Sequence, residues 1–423
     1  MKRQDAVGFT IAVLIAAISL IAPQLQAVPS VHAEGLTSNV GQQNSAEWTV
    51  EEAAFVSNYP TGFSFTIKVS SSGGEVTRAR AIWYSPNLRA SQTRAIEAEE
   101  AVYDAAAGVW TATWEADTLN MVPPWVEVMY HWELRDEADN RYETEPAIAE
   151  YADQTHEWTR SESDGAIVFT LDLPGEVEAV VLSAIDERLP LYQEVWGGVL
   201  PRKPRIILFG DYDVWMEWRT VPEYSDTSRI VGQTFDNWNA IVQVLYGQNM
   251  EQAIDELAYS TVVHEMEHLY QAEYVAATRD IYDVPTWFPE GDATFFELHQ
   301  SYDYLARIQD MARNGELPPL LVGVADAPRT DGDTARDGYD IGYSFFVWMQ
   351  EQAGDLSWHR KAMQLLAEDV PFFEMLEQVT GMSTAEIEQN WRVWLGASPM
   401  APTLIPTWTP NIPVIATQAP MHK

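Results

Sequence analysis

His264 and His268 stand four residues apart in the run His264-Glu265-Met266-Glu267-His268. On an α-helix that spacing puts both imidazoles on one face, within reach of a single metal ion. Glu265 then projects beside the metal's water, where hydrolysis needs a general base. Leu257, Ala258, Val262, Val263 and Leu269 give the surrounding segment the apolar spacing of a helix. Downstream, Trp287-Phe288-Pro289-Glu290-Gly291-Asp292-Ala293 supplies a carboxylate, Glu290, on what reads as the next helix. Two imidazoles and one carboxylate leave tetrahedral zinc an open fourth position, the arrangement of a catalytic rather than a structural site. The chain has no cysteine, which excludes a thiolate site. The expected cofactor is therefore one Zn2+ per chain. The bland alternative is a surface helix whose His and Glu residues are merely solvated.

Other chemistry-bearing residues are weaker candidates. Glu267 is expected to point away from the metal, and His131, His156 and His299 to be structural. Asp331-Gly332-Asp333, Asp337-Gly338 and Asp340 have loosely Ca2+-like spacing but lack the full loop pattern. A solvated acidic loop is the preferred reading there.

The elements that must position these groups fall into two regions. Residues 45–150 read as β structure, with period-2 alternation in 63–69, 79–84, 109–114 and 126–134 and a polar turn at 136–140. Short alternating strands between turn clusters suggest an antiparallel sandwich over 34–150. From about 155 the pattern changes. Strands are expected at 166–171, 205–209, 229–234 and 240–245, with a helical stretch near 176–194. Helices are expected at 252–276, 288–300, 301–314, 340–353, 358–368, 371–380 and 384–395. Gly381 is a stop for one of these, and Ser383 with Glu386 forms a capping box for the last. The predicted fold is an all-β sandwich followed by an α+β domain at 155–397 whose C-terminal half is mainly helical. Residues 398–423 hold six Pro and no periodicity, the composition of an extended or disordered tail.

Met1-Lys2-Arg3 precedes an apolar run from about Val7 to Ile21, and Val31-His32-Ala33 suits signal peptidase. Residues 1–33 are thus expected to be a signal peptide, with an uncleaved anchor as the alternative reading. The expected location is extracellular, either secreted or associated with the cell surface. A net charge of −38 disfavours nucleic acid and anionic membranes as partners. The expected partner is a peptide or protein substrate, with no stable membrane insertion; oligomeric state is left open. Seventeen Trp are mostly accounted for as core.

The pairing of His264-Glu265-x-x-His268 with Trp287…Glu290-Gly291-x-Ala293 resembles the gluzincin metallopeptidases, within the peptidase MA-like group. The resemblance covers about 155–397, and the sandwich resembles the immunoglobulin-like module often found before such domains. It implies His264, His268 and Glu290 as zinc ligands and Glu265 as base. It also implies Glu297, two helical turns past Glu290, as a support from behind, with Asp292 as the alternative. The segment Tyr339-Asp340-Ile341-Gly342-Tyr343 resembles the family's Tyr-containing helix, so Tyr343 and Tyr339 are both candidates for stabilising an oxyanion. The family's Gly-x-Met-Glu-Asn element, which recognises a substrate amino terminus, is absent. That departure favours an endopeptidase over an exopeptidase. The expected function is a secreted zinc metallopeptidase; the alternative is a binding protein that keeps a peptidase scaffold without turnover.

Overall fold

The computed structural model describes residues 46–87, 96–116, 121–218, 232–245, 249–275, 284–323, 327–331 and 334–400. The expected signal peptide and nearly all of the Pro-rich tail lie outside the described residues. Among the described residues, nine strands come first: β1 (Trp48–Ser57), β2 (Gly62–Ser71), β3 (Val76–Tyr84), β4 (Glu97–Glu100), β5 (Val102–Asp104), β6 (Val109–Glu115), β7 (Glu127–Asp136), β8 (Arg141–Glu143) and β9 (Ala147–Glu150). They form two antiparallel sheets, ordered β1-β2-β6-β5 and β4-β3-β7-β8, with β9 also on β7. The alternation seen in the sequence is what joins them. Phe63, Phe65 and Ile67 are fully buried on one face of β2. Phe63 lies 4.9 Å from Trp83 of the other sheet, and Phe65 lies 4.9 Å from Tyr130.

A third sheet follows, built from β10 (Thr159–Glu162), β11 (Ile167–Leu171), β12 (Arg205–Phe209), β13 (Gly232–Phe235) and β14 (Ala240–Val244), with α1 (Val177–Trp196) and α2 (Tyr212–Trp218) between them. Its order is β10-β11-β12-β14-β13; the three central strands are parallel and both edges are antiparallel. The central strands read as unbroken apolar runs because both faces are covered. Val168, Ile206, Leu208 and Ile241 point into the helical core. Ile167, Phe169, Ile207, Phe209 and Val242 point the other way, into one cluster shared with the first two sheets.

That shared cluster crosses the sequence boundary between 150 and 155. Trp125 stacks on Phe169 at 4.9 Å, and Trp83 lies 6.4 Å from Trp238. At its rim, the buried Arg205 guanidinium pairs with Glu150 at 2.6 Å and Glu127 at 3.2 Å. A buried cation needs both, since an unpaired charge there is costly.

The remainder is helical: α3 (Met250–Glu256), a π-helix (Leu257–Val262), α4 (Val263–Val275), α5 (Trp287–Phe296), α6 (Tyr304–Asn314), α7 (Arg336–Ala353), α8 (Ser357–Ala367), α9 (Phe372–Thr380) and α10 (Thr384–Trp394). Gly381 ends α9 with φ of 69°, and Ser383 and Glu386 cap α10 reciprocally, as the sequence predicts. The single helix expected at 252–276 is interrupted by the π turn. The helix expected to reach residue 300 stops at Phe296. Among the described residues, no helix is long and apolar enough to cross a membrane.

Candidate metal centre

Helix α4 carries His264 and His268 one turn apart, their ring centroids 5.0 Å from each other. Helix α5 brings Glu290 to them. Its Oε2 lies 3.1 Å from His264 Nε2 and 3.3 Å from His268 Nε2. One ligand atom from each of the three residues lies within 4.8 Å of the others. Close packing of α5 on α7 makes this approach feasible. A Cβ on Gly291 would sit 2.4 Å from the Gly342 backbone, and one on Gly342 would sit 2.2 Å from the Trp287 carbonyl. Two facing glycines therefore let two helices touch directly beside Glu290.

Each imidazole is held from behind. His264 Nδ1 lies 3.3 Å from Glu297 Oε1. The other Glu297 oxygen accepts from Ser260 Oγ at 2.9 Å and Tyr304 Oη at 3.0 Å. Glu297 thus lies behind His264, but not on the helix face expected of it. It lies just past the end of α5 with extended backbone, at ψ of 138°. The Tyr259 carbonyl in the π-helix accepts from the Leu298 and His299 amides at 2.7 and 3.1 Å, drawing the chain off the helix. The Arg188 guanidinium donates to the Glu297 carbonyl at 2.6 Å.

His268 Nδ1 meets Gln271 Oε1 at 3.0 Å. Gln271 Nε2 donates to the Pro289 carbonyl at 3.0 Å and to Asp292 Oδ2 at 3.3 Å. Asp292 therefore lies behind Gln271 rather than against a ligand, and its other oxygen takes His359 Nδ1 at 2.7 Å. Glu267 points away from the metal ligands, as expected, but into the interior. It is fully buried, accepts from Trp196 Nε1 at 3.0 Å, and is pushed well above the usual carboxylate range by burial and by the charge of Asp292.

Glu265 is 1 % exposed and accepts a hydrogen bond from Thr234 Oγ1 on edge strand β13. Sequence reasoning expected this strand at 229–234; its first part lies outside the described residues. The two tyrosine candidates separate. Tyr339 is buried, its ring 5.9 Å from His264, and it hydrogen-bonds Glu290. Burial and the charges of Glu290 and Glu265 hold its phenol proton on. Tyr343 turns toward α6 instead, against Tyr304 at 5.8 Å and bonded to Gln300.

Charge in the site is self-consistent. Burial opposes a proton on His264, but hydrogen bonds and charge from Glu290 and Glu297 outweigh it and raise His264 to about 10. Burial likewise works against the Glu290 carboxylate, but the charge of His268 and bonds to both imidazoles hold it down at about 2. A cation held by the three residues would replace those protons. The donor set suits zinc: two imidazole nitrogens and one carboxylate oxygen, no sulfur. The His268 Nε2 atom is buried and turned to Glu290 Oε2, 3.3 Å away, so these two candidate ligand atoms already face each other.

Elsewhere the structure is plainer. His299 pairs with Asp255 at 3.0 Å and stacks on Tyr259; His156 pairs with Asp153 at 2.8 Å. His131 is brought together with Glu133 and Glu143 on β7 and β8, a grouping the sequence reading did not pick out, and Glu133 is there paired with Arg80. In the loosely calcium-like run, the described acidic residues are taken up by arginines. Arg307 pairs with Asp337 and Asp340, Arg336 also binds Asp340, and Arg329 binds Asp331. Gly332 and Asp333 lie outside the described residues.

No known protein-family profile matches the chain, and no curated protein does. Solved structures similar to it include an M1 zinc metallopeptidase from Deinococcus radiodurans, at 13 % identity and a TM-score of 0.34, covering 81 % of this chain and 92 % of that one. A mutant M1 zinc metallopeptidase from the same organism is similar at 12 % identity and a TM-score of 0.35, covering 83 % and 92 %. A two-domain M1 zinc metallopeptidase mutant bound to L-arginine is similar at 13 % identity and a TM-score of 0.34, covering 81 % and 91 %. At these values the site's own geometry is what bears on function.

Proposed function

We propose that the chain is a zinc-dependent peptidase, acting as an endopeptidase on exported or extracellular peptide substrates. One observation carries the reading: His264, His268 and Glu290 converge on one point, with Glu265 buried beside them on the same helix. Zinc held there would polarise a scissile carbonyl and acidify the attacking water.

The chain's own residues supply the rest. Glu265 takes the proton of the attacking water and passes it to the leaving amine. Thr234 fixes one oxygen of that carboxylate, so the base is oriented before substrate arrives. Tyr339, kept protonated by its surroundings, is the donor for negative charge developing on the carbonyl oxygen. Strand β13 is a sheet edge, and an extended peptide could add to it as a further strand. The missing Gly-x-Met-Glu-Asn element supports internal cleavage, and the N-terminal apolar run supports export.

The test is a mixed peptide library incubated with zinc-loaded protein and with the chelated form. Zinc-dependent cleavage at internal bonds supports the proposal. A protein that takes up zinc but cleaves no member overturns the peptidase reading.

A further inference from the structure

We infer that Gln271 is the positioning residue for His268, and that the groups behind it fix which way its amide points. This rests on the metal-centre reading above. A glutamine amide is an acceptor at one end and a donor at the other. Behind Gln271 lie the Pro289 carbonyl, 3.0 Å from Nε2, and Asp292 Oδ2, 3.3 Å from it. A peptide carbonyl has no proton to give, so the NH2 group must face that side. The amide oxygen is then committed to His268, 3.0 Å from Nδ1. Only a protonated Nδ1 can meet an oxygen acceptor, which leaves the lone pair of neutral His268 on Nε2. That is the buried nitrogen turned to Glu290 Oε2, 3.3 Å away, in the candidate ligand set.

Asp292 is not free to turn away, because His359 Nδ1 holds its other oxygen at 2.7 Å and both residues are at most 1 % exposed. The polarity of a deeply buried set of groups is thus transmitted through one neutral amide to the metal-facing nitrogen. The two imidazoles reach the same tautomer by different means, His264 from the Glu297 carboxylate and His268 from a glutamine.

The test measures zinc affinity of the full chain by competition with a chromophoric chelator, and the absorption bands of the cobalt(II) form. Gln271→Leu should weaken zinc binding about 10- to 100-fold and alter the cobalt bands. Gln271→Glu places two carboxylates side by side and should also weaken binding. Adding Asp292→Asn to it puts a donor opposite the new carboxylate while the Pro289 carbonyl stays without one, and should recover part of the affinity. A packing defect alone would lower the melting temperature and leave the cobalt bands unchanged. If wild-type protein binds zinc and Gln271→Leu binds it equally well with the same bands, the inference is overturned. Failure of the double variant to recover any affinity overturns the part of the polarity argument that rests on Asp292. Absence of zinc binding by the wild type would instead remove the metal-centre reading on which the inference stands.

Discussion

Thr234 on the sheet edge donates its hydroxyl to Glu265 on the helix that carries both imidazoles. Strand and helix come from different parts of the chain and meet at the carboxylate proposed as the base. Glu265→Gln keeps the shape and loses the base. Zinc content and melting temperature should stay near wild type while peptide turnover falls by about 10²- to 10⁴-fold. Near-normal turnover in a well-folded, zinc-loaded variant would remove Glu265 from its assigned role.

Tyr339→Phe and Tyr343→Phe form a matched pair. Only Tyr339 bonds Glu290, whereas Tyr343 bonds Gln300. Tyr339→Phe should lower kcat by about 10²- to 10³-fold, the scale of one lost oxyanion donor. Tyr343→Phe should leave kcat close to wild type. Steady-state kinetics on one cleaved peptide would distinguish them, and equal effects would count against the assignment.

The zinc-free chain should lose stability toward alkaline pH. His264 titrates at about 10 when folded, above the ~6.5 of an unfolded chain. Its ion pairs therefore contribute fully below about pH 6.5 and fade as pH rises through 10. Glu290 is depressed to about 2, so its contribution persists across that window and is lost only in strong acid. Chelator-treated protein should melt lower at pH 9.5 than at pH 6.5. Zinc loading should reduce that fall, because the metal requires a neutral imidazole already. Parallel pH trends with and without zinc would refute the linkage.

Gly291→Ala tests the helix contact beside Glu290. The added methyl meets the Gly342 backbone at 2.4 Å, and backbone cannot turn aside. Overpacking should cost about 1–3 kcal/mol and shift Glu290, weakening zinc binding as well. Unchanged denaturant midpoint and unchanged zinc affinity would show that α5 and α7 part freely.

Phe169→Ala removes a fully buried ring from the face of β11 that meets Trp125. The expected cost is about 3–5 kcal/mol. It should appear as one shifted transition, with fluorescence from the N-terminal sheets and zinc release following together. Two separate transitions would argue that the sheets fold apart.

Local spacing made much of this legible. A spacing of four residues from one imidazole to the next fixes their common helix face wherever the helix lies. What local spacing could not give was direction. Tyr339 and Tyr343 are four apart and equivalent by periodicity; packing of α7 on α5 and α6 chooses between them. Glu297 was placed two turns along a helix that ends at Phe296. No residue pattern announces the π turn whose Tyr259 carbonyl redirects that segment. Gln271 was legible in principle, since it stands three residues after His268. A neutral amide attracts less notice than a charged group, and its partners come from α5 and the residues leading along it.

The sheet that ends in Thr234 is also the floor on which the N-terminal aromatic rings rest. Among the described residues, Trp125 stacks directly on Phe169, and Phe169 shares one cluster with Val242 and Phe235 at that edge. The outer sheets and the strand that holds Glu265 through Thr234 therefore share one packed body of side chains, with Phe235 of that strand in the same cluster as Phe63 and Trp83.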